Sequence, residues 1–268
     1  KKFCLYSIYN FIMPKFPELK NKNVIITGGS GFFGKQIVKA FQNQKSNVFV
    51  IDIRNNNTKN LKKNIHYFKA DITKEDSLIK IINYFKKKKI KIDILINNAA
   101  NDYVPKNKKK NNFKFENFIK NVWDNDLNVG LTGSFLTTKI FGTYMAQNIS
   151  GVILNISSDL GLIAPDQRIY DNFTKPVTYS VIKHGIIGLT KYTAAYWSKK
   201  NIRCNAIAPG GIFNNQNKKF ISKLNKLIPM GRMAKKNEYN DLVLFLCSPS
   251  SSYITGSVVV ADGGRTII

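Results

Sequence analysis

Cysteine is scarce in this chain of 268 residues: Cys4, Cys204 and Cys247 stand far apart, odd in number and without a Cys-x-x-Cys pair. Histidine is scarcer, with only His66 and His184. A disulfide scaffold is excluded, no metal site is expected, and the usage suits a reducing cytoplasm. The chain also lacks a Pro/Gly/Ser-rich linker and any repeat at solenoid spacing, so a single domain is expected. No membrane span is expected either: the opening KKFCLYSIYNFIM is too short to cross a bilayer and has no small-residue cleavage site. Residues 1–19 are read as an extension of little structure ahead of a domain over 20–268.

Acidic residues are few, 16 Asp+Glu against 42 Lys+Arg, for a formal net charge of +26. A dense basic face would attract a polyanion. Here lysine is spread along the chain with asparagine beside it, and its clusters around 86–89 and 106–110 fall at a helix end and in a loop. An AT-rich genome writes such a composition on any solvated surface, which argues against specific nucleic-acid binding.

What is present is an alternation of short β-branched-rich runs with helix-period segments. The order is NVIITGG, a helix from about Gly31, SNVFVID, IHYFKAD, a helix near 77–88, IDILINNAA, GVILNISS, a helix holding Tyr179, NIRCNAIAPGG and SVVVADGG. That order predicts an α/β fold: a doubly wound parallel sheet covered on both faces, in three layers. Such a sheet binds ligands outside the carboxyl ends of its strands.

TGGSGFFG, residues 27–34, follows the first strand and opens a helix, the context of a Rossmann-type dinucleotide site. Gly28 serves the tight turn, Gly31 lets backbone approach a pyrophosphate, and Gly34 lets the helix pack on the strand. With Ser30 and Phe33 they form the candidate phosphate-binding turn, where amides and the helix dipole hold the phosphates. Asp52 ends the second strand, 18 residues after Gly34, where its carboxylate can accept from both adenosine ribose hydroxyls and repel a 2′-phosphate. NAD is thereby favoured over NADP, although Arg54 can partly offset the repulsion. Asp71 and Ile72, after the third strand, are placed to meet adenine. Equally, Asp71 can open the next helix, with Thr73 and Asp76 as a capping box. Asn97 and Asn98 are expected to line the cofactor cleft.

TYSVIKHG, residues 178–185, sets Tyr179 and Lys183 on one helical face. Through TGGSGFFG, NNAA, NISS, YSVIK and NAIAPGGI, in this order and spacing from about residue 20 to the end, the chain resembles the short-chain dehydrogenase/reductases, in their shorter single-domain branch. The resemblance implies that Tyr179 is the acid/base group, that Lys183 and Ser158 complete the catalytic set, and that Pro209, Gly210 and Ile212 meet the nicotinamide end of the cofactor. A free tyrosine, with a pKa near ~10, is a poor base at neutral pH. A lysine ammonium and an oxidised nicotinamide ring favour its phenolate, which takes a proton from an alcohol or returns one to a carbonyl. Lys183 would also hold the nicotinamide ribose, and Ser158 would donate to the substrate oxygen. The family usually assembles as dimers or tetramers, so a homo-oligomer is expected.

Some positions depart from the family pattern. Phe32 and Ala100 stand where glycines are common. Gly130 replaces the asparagine that kinks a helix and holds a water of the proton relay; glycine can keep the kink but not the water, and Asn128 points to another side. Asn214 replaces a threonine whose contact its amide can take over.

Tyr179 follows Ser158 by 21 positions, more than compact relatives need. The added stretch IAPDQRIYDNFTKPVT is expected to shape the substrate pocket, with Arg168 meeting a phosphate or carboxylate and Asp166 and Tyr170 meeting hydroxyls. Together with KPVTYSVIKHGIIGLTKY and APGGIFNNQ, it resembles the oxidoreductases of surface-glycan and flagellin-modification pathways of the legionaminic-acid type, which implies a small carbohydrate substrate. A 3-oxoacyl-carrier-protein reductase and a cofactor-binding homologue without turnover are the alternatives.

Overall fold

The computed structural model describes residues 16–54, 64–101, 113–171 and 173–268. Within them each expected strand is present: β1 (Asn23–Thr27), β2 (Asn47–Asp52), β3 (Ile65–Lys69), β4 (Ile94–Asn97), β5 (Gly151–Ile156), β6 (Ile202–Pro209) and β7 (Val258–Ala261). The strands pair in parallel in the order β3-β2-β1-β4-β5-β6-β7. Winding reverses between β1 and β4, which opens the crevice in which such sheets take ligands.

The helices are α1 (Phe32–Asn43), α2 (Glu75–Lys87), α3 (Lys120–Leu127), α4 (Gly133–Thr137), α5 (Thr143–Gln147), α6 (Val177–Tyr196), α7 (Lys218–Asn225) and α8 (Asn240–Cys247). Two π-helical turns, Asn128–Thr132 and Thr138–Gly142, join α3, α4 and α5 into one run.

Side chains alternate across a strand, and so the sheet builds two cores. Val24 and Ile26 of β1, Val48 and Val50 of β2, and Ile94 and Ile96 of β4 share one with Ile37 and Phe41 of α1 and Val243 and Leu246 of α8. Ile25, Phe49, Leu95 and Ile153 share the other with Leu78, Ile82 and Phe85 of α2. Each such burial stabilises by ~1.5–3 kcal/mol relative to exposure. In α1 Lys35 and Lys39 are exposed while Gly34, Ile37, Val38 and Phe41 are buried, so its pattern fixes which face turns inward.

A polar ladder crosses the sheet. Thr137 Oγ1 donates to Asn97 Oδ1 (2.7 Å), Asn97 Nδ2 to Asn155 Oδ1 (2.8 Å), and Asn155 Nδ2 to Thr190 Oγ1 (2.8 Å). Fully paired, these groups avoid the cost of buried unsatisfied polar atoms. Asn97, expected at the cleft, is instead 3% exposed with its amide committed to this ladder.

Residues 1–15 of the expected extension, with Cys4, lie outside the described residues, as does the lysine cluster around 106–110. The rest of the extension is not loose. Phe16 N donates to Gln44 Oε1 at 3.1 Å, Pro17–Leu19 forms a 3-10 turn, and Leu19 is buried in the first core. Among the described residues no helix is long and apolar enough to cross a membrane.

Candidate active site

The β1–α1 turn is fixed from three sides. Gly28 has φ +65°, and its amide donates to Ile51 O at 2.8 Å. Asn98 Nδ2 donates to Thr27 O (3.0 Å) and Gly28 O (3.1 Å), so Asn98 braces the turn across the crevice. A Cβ at Gly34 would run into Gly28 O and lie 2.8 Å from Gly29 Cα, and only glycine lets α1 come this close. Gly29 is tight as well, since a Cβ there would lie 2.7 Å from Val50 Cγ1.

Two expected amides are engaged within the turn: Gly31 N donates to Gly28 O (3.0 Å) and Ser30 N to Asp52 Oδ2 (3.0 Å). Helix α1 begins at Phe32 without a side-chain cap. Its first-turn amides, which no preceding turn of helix satisfies, and the dipole behind them suit an anion. Phe33 can meet an anion there only through its backbone, because its ring packs edge-on against Tyr239 at 5.7 Å between centroids.

Asp52, at the end of β2, is buried and accepts from Ser30 N, from Arg54 N (3.0 Å) and from Arg54 Nε (3.3 Å). Burial pushes its carboxyl pKa up. The two amides and the Arg54 guanidinium outweigh that and hold it below the usual value. Asp52 is thus an ionised acceptor, and a carboxylate with four lone-pair sites keeps capacity for a ribose hydroxyl. Asp71 Oδ1 accepts from Thr73 N (2.9 Å) and Thr73 Oγ1 (2.7 Å), while α2 starts after Lys74 with no side-chain cap. The capping box of Thr73 and Asp76 is therefore not formed. Ile72 turns its side chain into the second core against Gly133, so only its backbone can face adenine.

Tyr179 and Lys183 lie one turn apart in α6. Lys183 is buried, its Nζ donates to Ile156 O at 2.8 Å, and it lies 5.6 Å from the Tyr179 ring centroid. Ser157 Oγ donates to Lys183 O (2.8 Å), which fastens the turn carrying Ser158 to the turn of α6 carrying Lys183. Ser158 Oγ donates to Asp159 Oδ1 (2.7 Å) and accepts from Leu160 N (3.2 Å). Asp159 in turn takes Arg265 Nη1 at 2.7 Å. At the end of β6, Pro209 is buried and Gly210 packs on the backbone of Asp262, 2.8 Å from where a Cβ would sit. Ile212 bridges to Ala234, and Gln216 closes the loop by accepting from Asn214 N (2.7 Å) and donating to Ile212 O (2.8 Å).

Gly130, where a kink is expected, lies inside the first π-helical turn, a local departure from α-helical winding. A Cβ on it would lie 2.7 Å from Ile182 Cγ2: the room for a side chain at 130 is taken by Ile182. One helical turn earlier Asp126 is 2% exposed, with Oδ2 accepting from Thr178 Oγ1 (2.7 Å) and Oδ1 from Asn101 Nδ2 (3.1 Å). Asp126, Asn101, Lys175, Thr178, Tyr179 and Ile182 line one small cavity.

The inserted segment differs from expectation. Arg168 donates to Asp166 through both Nε (2.9 Å) and Nη2 (2.8 Å), so these two charges answer each other at the surface. Tyr170 packs against Phe173 and Phe220 at 5.7 and 5.3 Å, over a satellite core of Ile169, Leu224, Ile228 and Met233. Lys223 and Lys219 of α7 pair with Asp171 (2.7 and 3.3 Å). The segment is thus anchored to α7 by apolar contact and paired charge. Sequence reasoning passed over Lys175, whose spacing to Tyr179 equals that of Lys183, and over Arg265, which no local signal marks.

Comparison with known proteins gives a consistent result. Residues 31–266 match the family described as "Enoyl-(Acyl carrier protein) reductase". The 3-oxoacyl-[acyl-carrier-protein] reductase FabG of Thermotoga maritima is 32% identical over 93% of this chain and 100% of the relative. The NAD-dependent glycerol dehydrogenase of Listeria innocua is 31% identical over 93% and 96%. Post-translational flagellin modification protein A of Campylobacter coli is 30% identical over 92% and 98%. Among solved structures, a short chain dehydrogenase from Leptospira borgpetersenii with bound NAD+ superposes with a TM-score of 0.83 at 32% identity, covering 92% of this chain and 93% of that one.

Proposed function

The chain belongs to the short-chain dehydrogenase/reductase family, and we propose that within it the protein transfers hydride between NAD and a secondary alcohol or ketone of a sugar or sugar derivative. The observation that carries this reading is the joining of Tyr179, Lys183 and the Ser158 turn at the carboxyl end of the same parallel sheet whose first strand ends in the glycine turn. The close approach at Gly34, the uncapped start of α1 and the ionised Asp52 fit a dinucleotide: the first-turn amides would hold its phosphates and Asp52 its adenosine ribose.

Such a cofactor supplies the hydride acceptor or donor when bound. Tyr179 takes the proton from the alcohol, or returns it to the ketone oxygen. Lys183, held by Ile156 O, keeps a cation near the phenolate. Ser158 must turn its hydroxyl from Asp159 toward the substrate oxygen to stabilise charge there.

The sugar assignment is supported by the likeness to the flagellin modification protein and the glycerol dehydrogenase. A reducing cytoplasm suits the two buried thiols, Cys204 and Cys247, each pushed up to about 12 by desolvation. A homo-oligomer formed through α6 is in keeping with its exposed Tyr192 and Tyr196. Reduction of a 3-oxoacyl carrier protein is the second reading, favoured by the likeness to FabG and by a net charge of +26 that suits an acidic carrier.

Titration with NADH and separately NADPH, followed by cofactor fluorescence, tests the reading. Preference for NADH with turnover of sugars is expected. Preference for NADPH with turnover of acyl thioesters would replace it with the second reading.

A further inference from the structure

Lys175 Nζ lies 3.7 Å from the centroid of the Tyr179 ring, nearer than Lys183 at 5.6 Å. Lys175 precedes α6, so helix geometry does not put it there. Gln167 does: its Nε2 donates to Lys175 O (3.1 Å) and its Oε1 accepts from Lys175 N (3.0 Å). Pro176 further restricts Lys175 to extended backbone. Gln167 opens the 3-10 turn Gln167–Ile169, and Ile169 is buried in the satellite core against α7. The inserted segment therefore acts as a brace running from α7 through Gln167 to Lys175 and the ring of Tyr179.

We infer that Lys175 is a positioning residue for the proton chemistry of Tyr179, a second cation held over the ring by the inserted segment so that the phenolate is favoured. The inference rests on the reading of Tyr179 as the acid/base group. A cation above a neutral ring is attracted by its quadrupole. Above a phenolate it meets a full negative charge as well, so its presence favours ionisation.

Among the described residues, Lys175 from the preceding segment and Lys183 from α6 lie by the Tyr179 ring, and Asp126 of α3 lines the same cavity; the turn after β5, which packs on α6, carries Asp159 paired with Arg265. Asp126 accepts from Thr178 Oγ1 and Asn101 Nδ2. Among the described residues, then, Lys175 and Lys183 act for the phenolate and Asp126 acts against it.

The test needs neither substrate nor cofactor. The full chain is labelled with [4-13C]tyrosine, and the Cζ resonance of Tyr179, assigned by its loss in Tyr179→Phe, is followed with pH. Lys175→Met should raise the midpoint by about half to one pH unit, a three- to tenfold smaller ionisation constant. Lys175→Arg, which keeps the charge, should titrate like the parent, and Gln167→Ala should show a smaller rise. An unchanged midpoint in Lys175→Met, with the other tyrosine resonances in place, would overturn the inference, as would an equal rise in Lys175→Arg. Failure here leaves hydride transfer standing. Absence of dinucleotide binding or turnover would sink that reading without touching the titration.

Discussion

Arg265 Nη1 donates to Asp159 Oδ2 at 2.7 Å across 106 residues of chain, and both side chains are buried. The other oxygen of Asp159 accepts from Ser158 Oγ, so the last turn of the chain is tied to the candidate catalytic serine. Removing one partner of a buried ion pair leaves an uncompensated charge. Arg265→Leu should cost about 3–5 kcal/mol in urea unfolding. Adding Asp159→Leu should recover much of it, and a cost within error for the single variant would show that the pair is not structural.

Tyr179→Phe should lower turnover by about 10²–10⁴-fold, the usual worth of a positioned proton donor or acceptor. Dinucleotide binding, measured by fluorescence titration, should stay close to that of the parent. Undiminished turnover would remove Tyr179 from the chemistry.

Asp52→Ser should move the cofactor preference toward NADPH, because it removes the carboxylate that repels a 2′-phosphate and leaves Arg54 without that partner. Retained discrimination, in the ratio of kcat/KM for the two cofactors, would place the determinant elsewhere.

The same carboxylate should be visible in the acid stability profile. Its folded pKa lies below the ordinary 3.8. Its contribution is therefore complete above that pH and is lost as pH falls through the folded value. Asp52→Asn should lessen the slope of stability against pH in that acid window, as read by urea midpoints. An unchanged slope would mean that Asp52 is not held as an ion.

Gly130→Asn, which restores the residue common in the family, should destabilise by about 1–3 kcal/mol, the cost of overpacking. Ile182 already occupies the space a Cβ at 130 would need. Combining it with Ile182→Ala should restore part of the loss in thermal unfolding, and a double variant no more stable than Gly130→Asn alone would show that the two side chains do not compete.

The strands, their order along the chain and most helices were legible because alternation of side chains across a strand and the 3.6-residue period of a helix are written locally. The glycine turn was legible for the same reason, down to Gly34, where no other residue fits. Partner choice over long separations was not. Asn97 reads as a cleft residue from its place at a strand end, and only the neighbouring Asn155 and Thr137 show that its amide belongs to the interior. Ser30 likewise reads as a phosphate donor until Asp52 is brought beneath it.

By itself, then, the sequence determined the doubly wound α/β sheet, the glycine turn and the pairing of Tyr179 with Lys183, all of them set by short-range spacing. Tertiary structure alone decided that Leu19 belongs to the core, that Ile182 fills the gap at Gly130 and that Arg265 reaches Asp159. A buried charge or cavity takes whichever partner the fold delivers within a few ångströms, and that distance is set by the packing of elements far apart in the chain.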